Sequence, residues 1–215
     1  MFHSHPCQTR LMAENRRHKP RQARSRDMIE RLIDATARVL ERDGYAAAST
    51  NAVAREAGAS PGSLYRYFAD KDELLVAVTA RFVGGFGERL EPAVRHAALQ
   101  AEPADAIRTV MDAALAALED QAGLLRALLE NVPPVDQAAA VHGIRTRLAG
   151  FVFQALAVRR GALVHDDVER ITWNMVELAQ HLPVRYVLDA PPISREDFLD
   201  DLVRTLMVQA FPVAA

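Results

Sequence analysis

The chain has 215 residues, half of them hydrophobic, with a formal net charge of −2 and one cysteine, Cys7. Alanine and leucine dominate and alternating β-branched runs are absent, so the composition predicts an all-α fold and excludes a sheet protein. No apolar run reaches the roughly 18 residues of a membrane span, the start lacks the apolar centre of a signal peptide, and one cysteine excludes an internal disulfide. We therefore expect a cytoplasmic protein with no membrane partner.

Charge is distributed unevenly along the chain. Residues 1–80 carry 13 Lys and Arg against 10 Asp and Glu, whereas residues 81–215 carry 13 against 18. A basic end on an acidic body favours binding of a polyanion by that end alone. Before the first predicted helix we expect residues 1–21 to form a basic, flexible tail, which is compatible with contact to phosphate.

The first predicted helix runs from Arg24 to Glu41, where apolar residues recur at intervals of three and four. Gly44 ends it, because a glycine just past the last periodic residue takes the left-handed conformation that closes a helix. A second helix is predicted to follow Ser49 or Thr50, since either side chain is a suitable N-cap.

A short turn joins the second helix to a third. Gly58 closes the second helix, Ser60 is the next N-cap candidate, and Pro61 occupies the first helical position, where its missing N–H carries no penalty. Leu64 and Phe68 lie four residues apart and are the predicted core contacts of the third helix. Two short helices joined by a three- or four-residue turn containing glycine form the helix-turn-helix pattern, whose second helix enters the major groove of DNA.

The residues around this turn carry side chains suited to DNA. Small residues at the start of the third helix let the backbone approach base edges, and neutral hydroxyl and amide groups nearby suit phosphate oxygens. The candidate DNA-binding residues are Thr50, Asn51, Ser60, Pro61, Gly62, Ser63, Tyr65, Arg66 and Tyr67. The open alternative is a pair of ordinary surface helices without a nucleic-acid partner.

A long helix is predicted to begin after Asp70. Asp70 is its N-cap candidate and Glu73 follows three residues later, as in a capping box with aspartate in the serine position. Glycines at 84, 85 and 87 weaken the helix, and Pro92 is expected to bend or end it. We therefore expect a hinge or kink in this stretch.

Taken together, these residues resemble the N-terminal domain of TetR-family transcriptional regulators over roughly residues 25–80. The matching residues are Gly44-Tyr45, Ser49-Thr50, Ala54, Ala57-Gly58-Ala59-Ser60, Gly62 to Phe68 and Lys71-Asp72-Glu73-Leu74-Leu75. The resemblance implies a homodimer on a double-stranded, pseudo-palindromic DNA operator. It also implies a small-molecule effector that changes the separation of the two recognition helices and so weakens DNA binding.

The same resemblance implies that Lys71 contacts the DNA backbone. A cation in the first turn of a helix opposes the helix dipole by a few tenths of a kcal/mol, and a phosphate docked there would reverse that sign. The alternative interpretation is a surface lysine that serves solubility.

Beyond residue 80 the sequence shows only general helical character. The predicted helices are Ala104 to Asp120, Gln121 to Asn131, Asp136 to Arg160, one capped by Asp166 or Asp167 and interrupted at Pro183, and Ser194 to about Gln209. The last of these has an apolar face wider than one small neighbour requires. We expect that face, together with residues 173–182, to form a two-fold interface between copies of the chain.

Helical bundles form ligand pockets between facing helices, so we expect the effector in this region. The candidate lining residues are Phe82, Phe86, Met111, Leu115, Leu128, Phe151 and Trp173, with Asn174 and Glu177 as polar anchors. Each of the bulky residues, taken alone, is more often plain core than pocket wall. As a group they favour an apolar or amphipathic ligand.

No catalytic set of residues is apparent. His3, His5 and Cys7 could bind a metal ion only loosely in a mobile tail, so we expect neither a metal site nor a cofactor. The sequence thus predicts a non-enzymatic regulator with three parts: a tail at 1–21, a helix-turn-helix DNA-binding domain at 22–70, and an effector-binding and dimerisation domain at 71–215. The alternative is a helical ligand-binding protein or enzyme that does not bind DNA.

Overall fold

In the computed structural model the described residues are 7–131 and 134–212, with side chains described from Ala23 onward except at 134–141 and 144. These residues form helices joined by turns, without a strand. The helices are α1 (Cys7–Ala47), α2 (Thr50–Glu56), α3 (Pro61–Leu64), α4 (Lys71–Ala97), α5 (Pro103–Glu119), α6 (Ala122–Asn131), α7 (Pro134–Ala157), α8 (Val168–Asp189) and α9 (Arg195–Ala210). The prediction of an all-α fold is confirmed.

The chain divides into two compact units, Met1–Val78 and Thr79–Ala215. The first contains α1, α2, α3 and the start of α4, and α4 continues into the second. In the first unit α1 packs against α2 and α2 against α3. Its core is formed by Leu32, Val39, Leu40, Val53, Leu64, Leu74 and Leu75, all at most 2% exposed.

Helix α1 begins earlier than predicted. Its backbone is helical from Cys7, whereas the sequence analysis expected a flexible tail over 1–21 and a helix start near Arg24; residues 1–6 lie outside the described part. Arginine, glutamine, alanine and methionine make up about half of this stretch and favour a helix, which Pro20 in the same stretch opposes. Gly44 interrupts α1 as expected, with non-helical angles of φ 76° and ψ 174°.

Pro92 and Pro183 both lie inside helices that continue past them. Pro92 does not end α4, which runs through the glycines at 84, 85 and 87 as far as Ala97, and Pro183 does not interrupt α8. The predicted interruption at Pro183 is therefore wrong, as is an end of α4 at Pro92, whereas a bend of α4 at Pro92 stays a prediction. Pro183 is buried, and packing of a helix face outweighs the roughly 3 kcal/mol by which proline disfavours a helix interior.

In the second unit α5 packs against α8 and α9, and α7 packs against α8. The core cluster includes Met111, Leu115, Ile171, Leu202 and Leu206. Much of the apolar face of α9 is thus covered by the chain's own helices, contrary to the expectation that a partner must cover it. Among the described residues, no helix combines the length and the apolar character needed to cross a membrane.

Candidate nucleic-acid interface and ligand cavity

The turn between α2 and α3 is held by local caps and by one arginine. The side chain of Ser49 accepts a hydrogen bond from the Ala52 N–H at 3.2 Å, which confirms Ser49 as the N-cap of α2. Gly58 has φ 62°, a left-handed conformation that favours glycine. Arg31 of α1 donates a hydrogen bond to the carbonyl oxygen of Ala57, so this carbonyl at the C-terminal end of α2 has a donor from a neighbouring helix.

Helix α3 is a single turn with a preorganised start. Ser60 Oγ accepts a hydrogen bond from the Ser63 N–H at 3.1 Å and lies 3.0 Å from Ser63 Oγ. Pro61 is the first helical residue, and Leu64 is fully buried. Burial of Leu64 and Phe68 confirms the predicted core contacts of this helix. The opposite side of the turn is left to solvent.

The candidate DNA-binding residues cluster on this turn and the ends of the helices beside it. Asn51, Ser60, Pro61, Gly62, Tyr65 and Arg66 are exposed, and Thr50, Ser63, Tyr67 and Lys71 are half-buried. A Cβ at Gly62 would meet no atom within 4 Å, so the approach to the first turn of α3 is open. This surface offers hydroxyl, amide and guanidinium groups next to small residues.

Two of these residues bind each other. Thr50 Oγ1 and Tyr65 Oη lie 3.0 Å apart, which joins the first residue of α2 to the residue that follows α3. Tyr65 is nevertheless 55% exposed. A hydroxyl both donates and accepts, so one group of the pair keeps an O–H for another acceptor. The pair therefore orients both side chains at the surface without using up their hydrogen-bonding capacity.

Lys71 is more constrained than a free surface lysine. Its Nζ donates to the carbonyl oxygen of Tyr45 and lies 3.3 Å from the centroid of the Tyr45 ring, a cation–π contact. Burial lowers the pKa of the Lys71 ammonium, and the negative charge of Asp72 opposes that shift. Because an ammonium has three N–H donors, two remain after the bond to Tyr45.

The start of α4 has the predicted capping box. Asp70 Oδ1 accepts from the Glu73 N–H at 2.9 Å, and Glu73 Oε2 accepts from the Ala69 N–H at 2.6 Å. The glutamate thus reaches back one residue further than in the standard motif, where it binds the N–H of the N-cap itself. Both bonds fix the first turn of α4, where Lys71 lies.

Sequence reasoning missed the ion pairs that hold α1 against α2. Arg38 Nε lies 2.9 Å from Glu56 Oε1, and Arg42 Nη1 lies 3.1 Å from Glu56 Oε2. The hydrogen bond from Arg38, followed by that from Arg42, lowers the pKa of the Glu56 carboxyl. The partners are 18 and 14 residues apart, a separation that no helical periodicity signals.

The second unit contains a cavity of about 710 Å³. Its wall is formed by residues from helices α4 to α8 and is mainly aliphatic and aromatic. The predicted residues Phe82, Phe86, Met111 and Phe151 line it. Polar side chains at its wall are Glu88, Glu91, Arg147 and Gln180, none of which the sequence analysis named.

The other candidate pocket residues do not line this cavity. Leu115 and Leu128 are buried in the unit, and Trp173 is 58% exposed. Glu177 pairs with Arg145 at 2.9 Å, and Asn174 is half-buried. Helical spacing identified the inward face of each helix, but it does not indicate where facing helices leave a gap.

Metal-binding groups are not clustered in the described part of the chain. No group of three or more His, Cys, Asp or Glu side chains there could hold a metal ion. His3 and His5 lie outside the described residues, and Cys7 is described only as helical backbone.

The fold and the exposed turn define a helix-turn-helix DNA-binding protein with a second helical unit. Comparison with known families identifies the family within this class. Residues 32–78 match the family described as bacterial regulatory proteins, tetR family, and residues 102–208 match the tetracyclin repressor-like C-terminal domain. The chain therefore belongs to the TetR family, and it is a DNA-binding transcriptional regulator.

Individual relatives agree with this assignment. The chain is 30% identical over 168 residues to the transcriptional regulator BetI of Rhizobium meliloti, covering 77% of this chain and 80% of that protein. It is 44% identical over 52 residues to the transcriptional repressor KstR of Rhodococcus jostii, a match of 24% of either chain. A candidate TetR-family regulator from Mesorhizobium loti has a similar fold, with a TM-score of 0.70 at 19% identity over 88% of this chain and 99% of that one.

Proposed function

We propose that this regulator represses transcription by binding operator DNA as a homodimer, and that a small apolar or amphipathic effector releases it. The single observation that carries the proposal is the exposed α2–α3 turn, with small residues at the start of a helix whose other side is locked into the core. Contacts to base edges specify a sequence, whereas contacts to phosphate only position the protein. The surface of this turn offers groups of both kinds.

Within the proposed interface, Pro61, Gly62 and Ser63 meet base edges in the major groove. Thr50, Asn51, Tyr65, Tyr67 and Lys71 contact phosphate oxygens, and Ser60 and Arg66 complete the surface. Support comes from exposure: Pro61 and Gly62 are exposed and Ser63 is half-buried, whereas Leu64 is the residue of α3 that the core buries. Changing Ser63 should therefore alter the preference among operators, while changing a phosphate contact should weaken all of them alike.

A direct test uses the purified full chain and fragments of its own upstream DNA. We expect retention of one fragment at physiological salt and a steep loss of affinity as salt rises, because phosphate contacts release counterions. A matched variant is Ser63→Ala, which keeps the fold of α3 and removes one hydroxyl. Absence of retention at any salt would overturn the proposal and favour a helical ligand-binding protein instead.

The proposed effector site is the cavity of about 710 Å³ in the second unit. Ligand pockets of small molecules typically have about 300–1,000 Å³ and a mainly apolar wall with few polar groups. The cavity fits both criteria. A ligand that binds one arrangement of the dimer more tightly than another shifts the population towards it. Release then follows if the preferred arrangement mis-spaces the recognition helices relative to successive major grooves.

The proposed dimer interface includes Trp173, the most exposed aromatic side chain of α8. Its ring is 58% exposed in the single chain, and burial of an aromatic ring is strongly favourable. Light scattering at micromolar concentration should give twice the chain mass of 23.7 kDa, and Trp173→Glu should shift it towards the single-chain mass. Leu99→Glu, at an exposed leucine between α4 and α5, is the matched control and should leave the dimer intact. A single-chain mass for the parent would exclude the dimer.

A further inference from the structure

A second cavity, of about 450 Å³, adjoins the first within the second unit. Val110, Met111, Leu148, Phe151 and Ala179 line both cavities. Because the same side chains line both, the two are neighbouring chambers that share this wall. A ligand that displaced the flexible side chain of Met111 or turned the ring of Phe151 would join them into one elongated apolar space.

The second chamber has one charged residue in its described wall, Arg159. This arginine is half-buried, and its Nη1 and Nη2 donate to the carbonyl oxygens of Ala155 at 3.1 Å and Ala101 at 3.4 Å. No carboxylate among the described residues pairs with it. A guanidinium has five N–H donors in a planar fork, so three remain for an anion.

Charge in the first chamber is different. Its wall includes Glu88, Glu91 and Arg147, so both signs are present. Glu91 is paired with Arg95 on the next turn of α4. The second chamber therefore favours an anionic group more than the first, because the described wall around Arg159 has no carboxylate, whereas Arg147 shares its wall with Glu88 and Glu91.

Helix α7 contributes a continuous wall to both chambers. Leu148, Phe151 and Ala155 recur at intervals of three and four, and Arg159 follows four residues later, just past the helix end. At 1.5 Å per residue the distance from Leu148 to Ala157, the last residue of α7, is about 13 Å along the helix axis. An unbranched chain with one charged end matches an apolar space that has a cation at one end.

We propose that the two chambers together bind an unbranched long-chain amphiphile whose single anionic group, a carboxylate, is held by Arg159. Its alkyl chain passes between Met111 and Phe151 into the first chamber. This inference deepens the proposed effector site and rests on it. The two bonds from Arg159 to carbonyl oxygens also suit a purely structural clip, so the test must depend on the charge of the ligand.

The test measures binding of decanoate, 1-decanol and decyltrimethylammonium to the full chain without DNA, by calorimetry below their micelle concentrations. We expect decanoate to bind more tightly than the alcohol, and the alcohol more tightly than the cation. Arg159→Gln should lower the affinity for decanoate by about tenfold to hundredfold, which is the contribution of a charge-assisted hydrogen bond. The affinity for decanol should stay unchanged. Arg160→Gln, at the adjacent exposed arginine that lines neither chamber, should behave as the parent.

Two results would overturn the proposal. One is a parent protein that prefers decanol or the cation to decanoate, a comparison that needs no variant to fold. The other is an equal loss of affinity for decanol and decanoate in an Arg159→Gln protein that its melting curve shows to be folded. Arg159→Lys retains the positive charge and should keep the preference for the carboxylate.

A chain-length series tests whether the ligand spans both chambers. Each methylene buried should raise the affinity about fourfold, so octanoate, decanoate and dodecanoate should form a rising series. A series that stops rising at octanoate would restrict the ligand to the second chamber and contradict the spanning pose. Because these readouts omit DNA, they are independent of the proposed function. Decanoate that binds but does not release the operator would exclude it as effector, and loss of DNA retention would not affect the binding result.

Discussion

The α2–α3 surface and the cavity of the second unit are organised in contrasting ways. The first is formed by residues between Ser49 and Lys71, and its helix starts are fixed by the caps Ser49, Ser60 and Asp70, each of which binds an N–H group three residues ahead. The second is lined by residues from Phe82 to Val184, which five different helices bring together. The first surface is polar and exposed, whereas the second is mainly apolar.

This difference explains why the DNA-binding end can be recognised from the sequence while the lining of the ligand site cannot. A surface encoded in about twenty consecutive residues keeps its signature, because each cap depends on one side chain and its own turn. A cavity between helices depends on the volumes of many side chains at once, and apolar residues of similar size substitute for one another there. The two parts therefore respond differently to mutation.

The largest expected effects come from matched truncations in the two cores. Leu64 and Leu115 are both fully buried, and truncation of either to alanine should lower the free energy of unfolding of its unit by about 2–5 kcal/mol. The first unit is small and has little stability in reserve. Leu64→Ala should therefore abolish DNA retention while the second unit keeps its thermal transition.

Calorimetry of the two variants checks this expectation. Leu115→Ala should instead lower the temperature of the thermal transition of the second unit. If both variants lowered one common transition by the same amount, the two units would unfold cooperatively, and the contrast between them would not extend to stability.

Much of the first region could be predicted from the sequence, for a physical reason. Ser49, Ser60 and Asp70 act on N–H groups three residues ahead, so residue type and spacing are enough to assign them, and the structure confirms all three caps. The same spacing recurs at the start of α9, where the Ser194 side chain accepts a hydrogen bond from the Asp197 N–H at 3.1 Å.

Contacts between distant residues could not be predicted in this way. Nothing in the sequence pairs Arg31 with the end of α2 or Lys71 with Tyr45, since both pairs lie 26 residues apart. Likewise, helical periodicity gave Leu115 and Phe151 the same inward direction, yet only Phe151 lines the cavity. Which inward residue meets a gap depends on how helices pack, which one sequence does not encode locally.

The second prediction separates two roles of Lys71. Lys71→Ala removes the charge and the stacking on Tyr45, and should cost about 1–2 kcal/mol in stability of the first unit. Lys71→Met also removes the charge but keeps an apolar stem over the ring. If Lys71 binds phosphate, both variants should lower the salt dependence of DNA binding by about one counterion.

Operator affinity measured across a salt series distinguishes the outcomes. Lys71→Arg, which retains the charge, should keep the slope. Lys71→Ala could instead leave the salt dependence of DNA binding unchanged and lower operator affinity no further than its loss of stability explains. Lys71 would then position the start of α4 without contacting phosphate.

The third prediction concerns the glycines of α4. A Cβ at Gly84 or Gly85 would meet no atom within 4 Å, so both can be replaced with alanine without a clash. The replacement should stabilise the helical conformation by up to about 1 kcal/mol per residue and so make the helix stiffer. If bending of α4 transmits effector binding, the double variant should bind the operator as the parent does but be released less by effector.

Because Gly84 lines the cavity and Gly85 does not, Gly85→Ala alone is the control for altered ligand binding. The measurement is operator affinity with and without effector in each protein. If effector weakened operator binding by the same factor in the double variant and the parent, the flexible point would lie elsewhere in the chain. Linkage requires DNA to weaken effector binding by the same factor.

The smallest expected effect concerns the hydroxyl pair of Thr50 and Tyr65. Tyr65→Ala removes the ring as well as the hydroxyl and should weaken binding to all sequences, whereas Tyr65→Phe removes only the hydroxyl. We expect a loss of about 0.5–1.5 kcal/mol in operator binding for Tyr65→Phe, the worth of one hydrogen bond. The salt slope should stay constant because the group is uncharged. Thr50→Val removes the partner while keeping its shape, so a double-mutant cycle measures how far the two act as a unit. If Tyr65→Phe bound as tightly as the parent while Tyr65→Ala did not, the ring alone would contribute to binding, and the hydroxyl would have no contact with phosphate.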